Sequence, residues 1–206
     1  MSPSRFRLRK IFRGPVLTFA GPFIRMGVHP NTITYLSLLF AFFGFLSLLI
    51  SGNEILFGIL VFIVGFLDGV DGAVARASGK SSTSGAFTDS MIDKAAEALL
   101  LLAIAIHHSN VILFGLHIDI WAFLCLFGWI MTSYSRARGE AMGVSDLDIG
   151  LGARSERLFI LFLFSVFYLV YWGLFFVTII GLGTAFYRFY KFREELATQT
   201  NNTPQE

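Results

Sequence analysis

Four aspartates carry the chemistry open to this chain. Asp68 and Asp71 stand three residues apart and Asp89 and Asp93 four apart, so each pair falls on one helical face. Brought together, four carboxylates raise one another's pKa and cannot all stay ionised without compensation. Divalent cations supply it. With oxygen ligands and no histidine or cysteine nearby, Mg²⁺ or Mn²⁺ suits Asp68, Asp71, Asp89 and Asp93 better than zinc does. Two ions on paired carboxylates polarise a phosphate and stabilise both its attacking and its leaving oxygen. Gly69, Gly72 and Gly85 clear space where a phosphate or a second backbone must approach. An ion-pair network between helices, or a proton pathway, is the plainer account of such acids. Transporter carboxylates, however, usually sit nearer the membrane midplane.

The elements that must position these side chains read as transmembrane helices. The 206 residues are 55% hydrophobic and 15% charged, with mean hydropathy +0.68, too little charge to cover a soluble surface. Six apolar runs approach the ~20 residues that cross ~30 Å of hydrocarbon: 32–51, 54–76, 85–106, 111–134, 158–171 and 172–190. Asp68 then lies about 12 Å before the inner end of the second run, and Asp89 and Asp93 enter the third at a similar depth. Arg5, Arg7, Arg9, Lys10, Arg13 and Arg25 precede the first run, and Arg76 and Lys80 separate the second from the third. Arg136, Arg138, Arg154 and Arg157 lie between the fourth and fifth; Arg188, Lys191 and Arg193 close the sixth. The alternate connections at 52–53, 107–110 and 171–172 hold no lysine or arginine, so one side is basic and is cytoplasmic by the positive-inside rule.

These observations predict an all-α polytopic protein of the cell membrane with six transmembrane helices. Both termini and the active site are expected on the cytoplasmic side. Residues 1–206 read as one domain, with a bundle over 32–190 and a flexible polar tail over 198–206. Residues 1–28 read as an amphipathic cytoplasmic segment on the headgroups, interrupted at Gly14-Pro15 and Gly21-Pro22. Cys125 stands alone, so no intrachain disulfide is possible. No nucleic-acid partner is expected.

The arrangement D-x-x-D-G-x-x-A-R-x8-G-x3-D-x3-D resembles the signature of the CDP-alcohol phosphotransferases. It does so at Asp68, Asp71, Gly72, Ala75, Arg76, Gly85, Asp89 and Asp93, eight fixed positions within 26 residues. The resemblance implies that Asp68, Asp71 and Asp89 ligate two Mg²⁺ or Mn²⁺ ions. Asp93 would lie at the metals as the general base for an acceptor hydroxyl. It also implies that Asp68, Gly72, Ala75, Arg76 and Gly85 bind the CDP-lipid, and that the enzyme is a homodimer. His29-Pro30-Asn31-Thr32-Ile33-Thr34 resembles the family's entry to the first span, whose polar Asn31 and Thr34 lie near the nucleotide; helix capping is the competing account.

The acceptor is a finer question. Segments around Ser133–Glu140, Gly150–Leu158 and Gly183–Arg188 resemble the inositol-phosphate branch, which implies Ser133, Arg138, Arg154 and Arg188 as contacts for a phosphorylated polyol. Arginine forks suit a phosphate better than they suit a free alcohol. Glycerol-3-phosphate is the leading rival. For Arg136, Arg138 and Arg157, the alternative is charge bias and headgroup contact. An intramembrane prenyltransferase with metal-bound aspartates and an ion carrier are the readings from other classes. His107, His108 and Asp119 receive no role.

Overall fold

The computed structural model describes residues 11–150 and 152–202. Arg5, Arg7, Arg9 and Lys10 of the expected interfacial segment and residues 203–206 of the expected tail lie outside them. The described residues form helices α1 (Arg13–Arg25), α2 (Pro30–Leu46, continued by a π-turn over Ser47–Ser51), α3 (Glu54–Ala77) and α4 (Thr83–His107). A hairpin of β1 (Ile112–Leu113) and β2 (Leu116–His117) follows, then α5 (Ile118–Ala141), α6 (Arg154–Val166) and α7 (Val170–Asn202).

Local chemistry sets the ends of the helices that matter. Asn53 accepts from the Leu56 amide at 2.9 Å to start α3, and Ser82 accepts from the Gly85 amide at 3.0 Å to start α4. Between them α3 stops at Gly79, whose φ of +67° suits a residue without Cβ, and Lys80 donates back to the Ala75 carbonyl at 3.1 Å. The short connection returns α4 alongside α3. Pro30 opens α2 where no amide is needed, and the Asn31 amide donates to His29 Nδ1 at 3.3 Å.

Pro30–Ser51, Glu54–Ala77, Ile118–Ala141 and Val170–Gln199 are long and apolar enough to cross a membrane. Large apolar side chains such as Phe43, Ile50, Phe123 and Ile179 are exposed around the bundle, as lipid contact requires. The remaining two expected spans differ in kind. Helix α4 has the length, but Asp89, Asp93, Lys94 and Glu97 interrupt its apolar run. Helix α6 has 13 residues.

Several boundaries differ from the sequence reading. The fourth run was expected to begin at Val111; the residues before Ile118 instead form the hairpin, held where Trp121 Nε1 donates to the Leu113 carbonyl at 3.0 Å. The last apolar stretch divides at Phe167–Leu169 rather than at Tyr171–Trp172. Tyr168 adopts φ +56° there, and Glu54 accepts from the Val170 amide at 3.1 Å, starting α7 with a carboxylate at its positive end. Asp119 lies in the first turn of α5, at its positive end, and accepts from the Ile120 amide at 2.9 Å. Helix α1 runs through Pro15 and Pro22, which were expected to interrupt it. Pro15 lies in the first turn, where its missing N–H is harmless. Helix α7 continues to Asn202, so residues 198–202 are helical rather than a flexible tail.

One apolar core joins all the long helices, from Ala41 and Leu48 of α2 through Phe57, Val61 and Val64 of α3 to Leu174 and Val177 of α7. Burial on the scale of a whole leucine or phenylalanine is worth about 1.5–3 kcal/mol against water. Within lipid, where the tails are as apolar as leucine, close packing takes over that role. Helix α1 docks on α3 through Val16 against Gly69 and the edge-to-face pair Phe19–Phe66 at 5.3 Å. A smaller cluster of Val144, Ile149 and Phe192 seats the 142–150 loop on the far end of α7.

Candidate active site

The carboxylates converge where the end of α3 faces the beginning of α4. One oxygen each from Asp68, Asp71 and Asp89 lies within 4.8 Å of the others. Thr34 of α2 fixes this group from behind: its Oγ1 donates to Asp71 Oδ2 at 2.8 Å. Three carboxylate donors at this separation, with no thiol or imidazole among them, fit a hard divalent ion. Asp93 is not part of this trio. It lies one turn along α4 from Asp89, and its Oδ1 forms an ion pair with Arg154 Nη2 at 2.9 Å.

Arg154 at the start of α6 reaches three acids. Its Nη1 meets Asp68 Oδ1 at 2.9 Å, and its Nε lies 3.3 Å from Glu97 Oε1. Helix α6 can deliver it because Glu156 turns back to accept from the Ala153 amide at 3.1 Å, capping the helix one residue before Arg154. A cavity of about 1170 Å³ opens beside these groups, lined by Asp68, Arg76, Asp93, Ser133, Arg154 and Arg188 among others.

The glycines act by absence at two points. A Cβ on Gly72 would stand 3.2 Å from Arg76 Nη1, because that guanidinium folds back over the glycine and into the cavity wall. A Cβ on Gly85 would meet Ser82 Oγ at 3.0 Å and Asn31 Oδ1 at 3.3 Å. Asn31 and Thr34 therefore both reach the carboxylate end of the bundle, and capping of α2 falls to His29.

The expected acceptor contacts divide. Ser133 lines the cavity while its hydroxyl donates to the Trp129 carbonyl at 3.2 Å. Arg188 lines it too, but Nε donates to the Ile149 carbonyl at 3.0 Å and Nη1 to the Thr132 carbonyl at 2.7 Å. These bonds tie the 142–150 loop and α5 to α7. Arg138 is exposed and outside the cavity lining; Arg136, two residues earlier, lines it and pairs with Asp148 at 3.1 Å. Arg157 is no headgroup contact. It is buried with its guanidinium carbon 4.3 Å above the Trp129 ring. Sequence reasoning missed Glu97, although it continues the four-residue spacing of Asp89 and Asp93 on the same face.

The sequence profile described as CDP-alcohol phosphatidyltransferase matches residues 27–187. The chain is 35% identical to the archaetidylinositol phosphate synthase of Pyrococcus horikoshii, over 92% of this chain and 97% of that one. Among solved structures it resembles the phosphatidylinositol phosphate synthase of Mycobacterium tuberculosis. With CDP-DAG bound, that structure gives a TM-score of 0.70 at 23% identity, covering 86% of this chain and 92% of that one. In complex with manganese and citrate it also gives 0.70, at 24% identity, covering 86% and 88%.

Proposed function

Because the chain belongs to the CDP-alcohol phosphatidyltransferase family, an assignment its membrane-length helices suit, we propose that it moves the phosphatidyl-type group of a CDP-lipid onto the hydroxyl of inositol phosphate. The acceptor oxygen attacks the lipid-side phosphorus, the bond to the cytidylyl phosphate breaks, and CMP leaves. The observation that carries this reading is the convergence of Asp68, Asp71 and Asp89 within 4.8 Å, with Asp68 in the lining of a cavity that Arg154 also lines.

Asp68, Asp71 and Asp89 are the residues that would hold divalent metal, Mg²⁺ or Mn²⁺ in two ions, which neutralises charge on the diphosphate. Arg76, folded over Gly72, takes the diphosphate of the nucleotide, with Asn31, Thr34, Ala75 and Gly85 as further contacts for the CDP-lipid. Asp93 takes the proton of the acceptor hydroxyl. Arg154 receives the acceptor phosphate as a two-pronged donor, with Ser133 nearby. Arg188 supports this pocket through the carbonyls it holds, and its place in the lining leaves it a contact on the acceptor side. Arg138, exposed outside the lining, has no such support.

The one-sided distribution of basic residues supports six crossings, with α4 and α6 completing the bundle and both termini and the site cytoplasmic. Helix α1 would then lie along the inner headgroups. The continuous core supports one domain, and a homodimer accords with the family.

The test is CMP release from purified protein with Mg²⁺, supplied with CDP-diacylglycerol or CDP-archaeol. The acceptor panel holds inositol phosphate, glycerol-3-phosphate, free inositol and serine. Inositol phosphate should be the best acceptor. Preference for glycerol-3-phosphate would replace the acceptor, and no CMP with any alcohol would remove the reading altogether.

A further inference from the structure

One turn beyond Asp93 on α4, a single fully buried carboxylate gathers three cations. Glu97 is 0% exposed; its Oε2 accepts from Lys94 Nζ at 2.5 Å. Its Oε1 lies 3.3 Å from Arg154 Nε and 3.7 Å from Arg157 Nη2. All three cations line the cavity; Glu97 does not. It stands behind them.

Helix association alone does not account for such a group. An ion cluster buried among helices is costly to desolvate, and apolar side chains of similar volume usually pack as stably. What a carboxylate adds is direction. Arg154 presents a rigid fork, and its Nε is the edge that faces Glu97. Anchoring that edge turns Nη1 and Nη2 outward, where each now holds an acid at the cavity wall. Arg157 is caught between Glu97 and the face of Trp129, so its guanidinium has little freedom. Lys94, on the same helix as Glu97, is drawn to the same oxygen pair.

We propose that Glu97 is a positioning residue: it sets Lys94, Arg154 and Arg157 as one cationic wall that receives the phosphate of the acceptor. This rests on the function proposed above. Glu97 touches neither substrate in this account. It acts through Arg154 first and through the other two cations second.

Glu97→Gln keeps the size of the side chain and removes its charge. Three quantities separate a positioning role from a structural one: KM for inositol phosphate, KM for CDP-lipid, and the inhibition constant of inorganic phosphate competing with the acceptor. The variant should raise the first and third about tenfold or more, the loss of one charge-assisted contact, and leave the second within about twofold. Unchanged acceptor and phosphate constants would overturn the proposal. So would a parallel rise in both KM values with a lowered melting temperature, which marks general loosening.

If Glu97→Gln does not yield folded protein, Glu97→Asp keeps the charge but withdraws it by one methylene. It should raise the phosphate inhibition constant in the same sense, and no change would again overturn the proposal. Arg154→Gln, measured alongside, separates the two levels. An effect of Arg154→Gln without one of Glu97→Gln removes only the positioning role. No effect of Arg154→Gln on phosphate inhibition removes the assignment of Arg154 and the positioning role with it.

Discussion

Arg154 holds Asp93 at 2.9 Å, so the side chain proposed to accept the proton is paired, before any substrate arrives, with a permanent cation from another helix. A carboxylate shared with a guanidinium is a poor base until the guanidinium finds a better anion. On the proposed function, the acceptor phosphate is that anion. Its arrival would draw Arg154 away from Asp93 and so tie the base to the presence of the correct acceptor.

Removing the carboxylate tests this directly. Asp93→Asn is expected to lower kcat by about 10² to 10⁴-fold, the usual reach of general-base catalysis, with CDP-lipid binding retained. Binding of labelled CDP-lipid to the purified variant measures the second part. Turnover at the wild-type rate would take the proton-accepting role away from Asp93.

Thr34 is the hydrogen-bond donor behind the carboxylate trio, at 2.8 Å from Asp71. Thr34→Val keeps the shape and deletes the donor. The concentration of Mg²⁺ needed for half-maximal activity should rise about tenfold, in the range seen when outer partners of metal ligands are lost. Titration of Mn²⁺ binding by electron paramagnetic resonance provides a readout apart from turnover. An unaltered titration would leave Thr34 as a packing residue.

Gly72→Ala places a methyl 3.2 Å from Arg76 Nη1. The guanidinium end is flexible enough to yield, so the protein should fold normally while Arg76 loses the position proposed for it at the diphosphate. KM for CDP-lipid is expected to rise severalfold and KM for the acceptor to stay unchanged. Equal effects on both would contradict a nucleotide-side role for Arg76.

Arg188→Ala strips the donors from the carbonyls of Ile149 and Thr132. The Thr132 carbonyl keeps the Ser135 hydroxyl at 3.0 Å, but leaving the Ile149 carbonyl without this donor costs about 1–3 kcal/mol, so thermal unfolding in detergent should come at a lower temperature. Limited proteolysis should also begin within the 143–150 loop before anywhere else in the bundle. A melting temperature equal to the wild type would mean that Arg188 serves the acceptor alone.

Much of this site was legible in the sequence, because the spacing of Asp68, Asp71, Asp89 and Asp93 is a short-range pattern on two regular helices. The positions of α2, α3 and α4 followed from apolar runs bounded by Asn53 and Ser82, residues whose capping is local. What depended on partners distant in sequence was not legible. The break between α6 and α7 is tied to Glu54, 116 residues before the amide it caps. Arg157 reads as one more basic residue of a cytoplasmic connection until Trp129 and Glu97 are seen around it. Arg188 has the position of a phosphate ligand, and only the path of the 142–150 loop reveals the carbonyls it holds.

The arginines that neutralise the acids of α4 come from α6, a segment made some fifty residues later. On the six-crossing reading proposed above, α4 would be made with Asp93 and Glu97 matched by Lys94 alone until α6 follows. On that reading the helix would be held near the aqueous boundary until Arg154 and Arg157 are made. On the same reading, a chain truncated before α6 would keep these acids without their arginines.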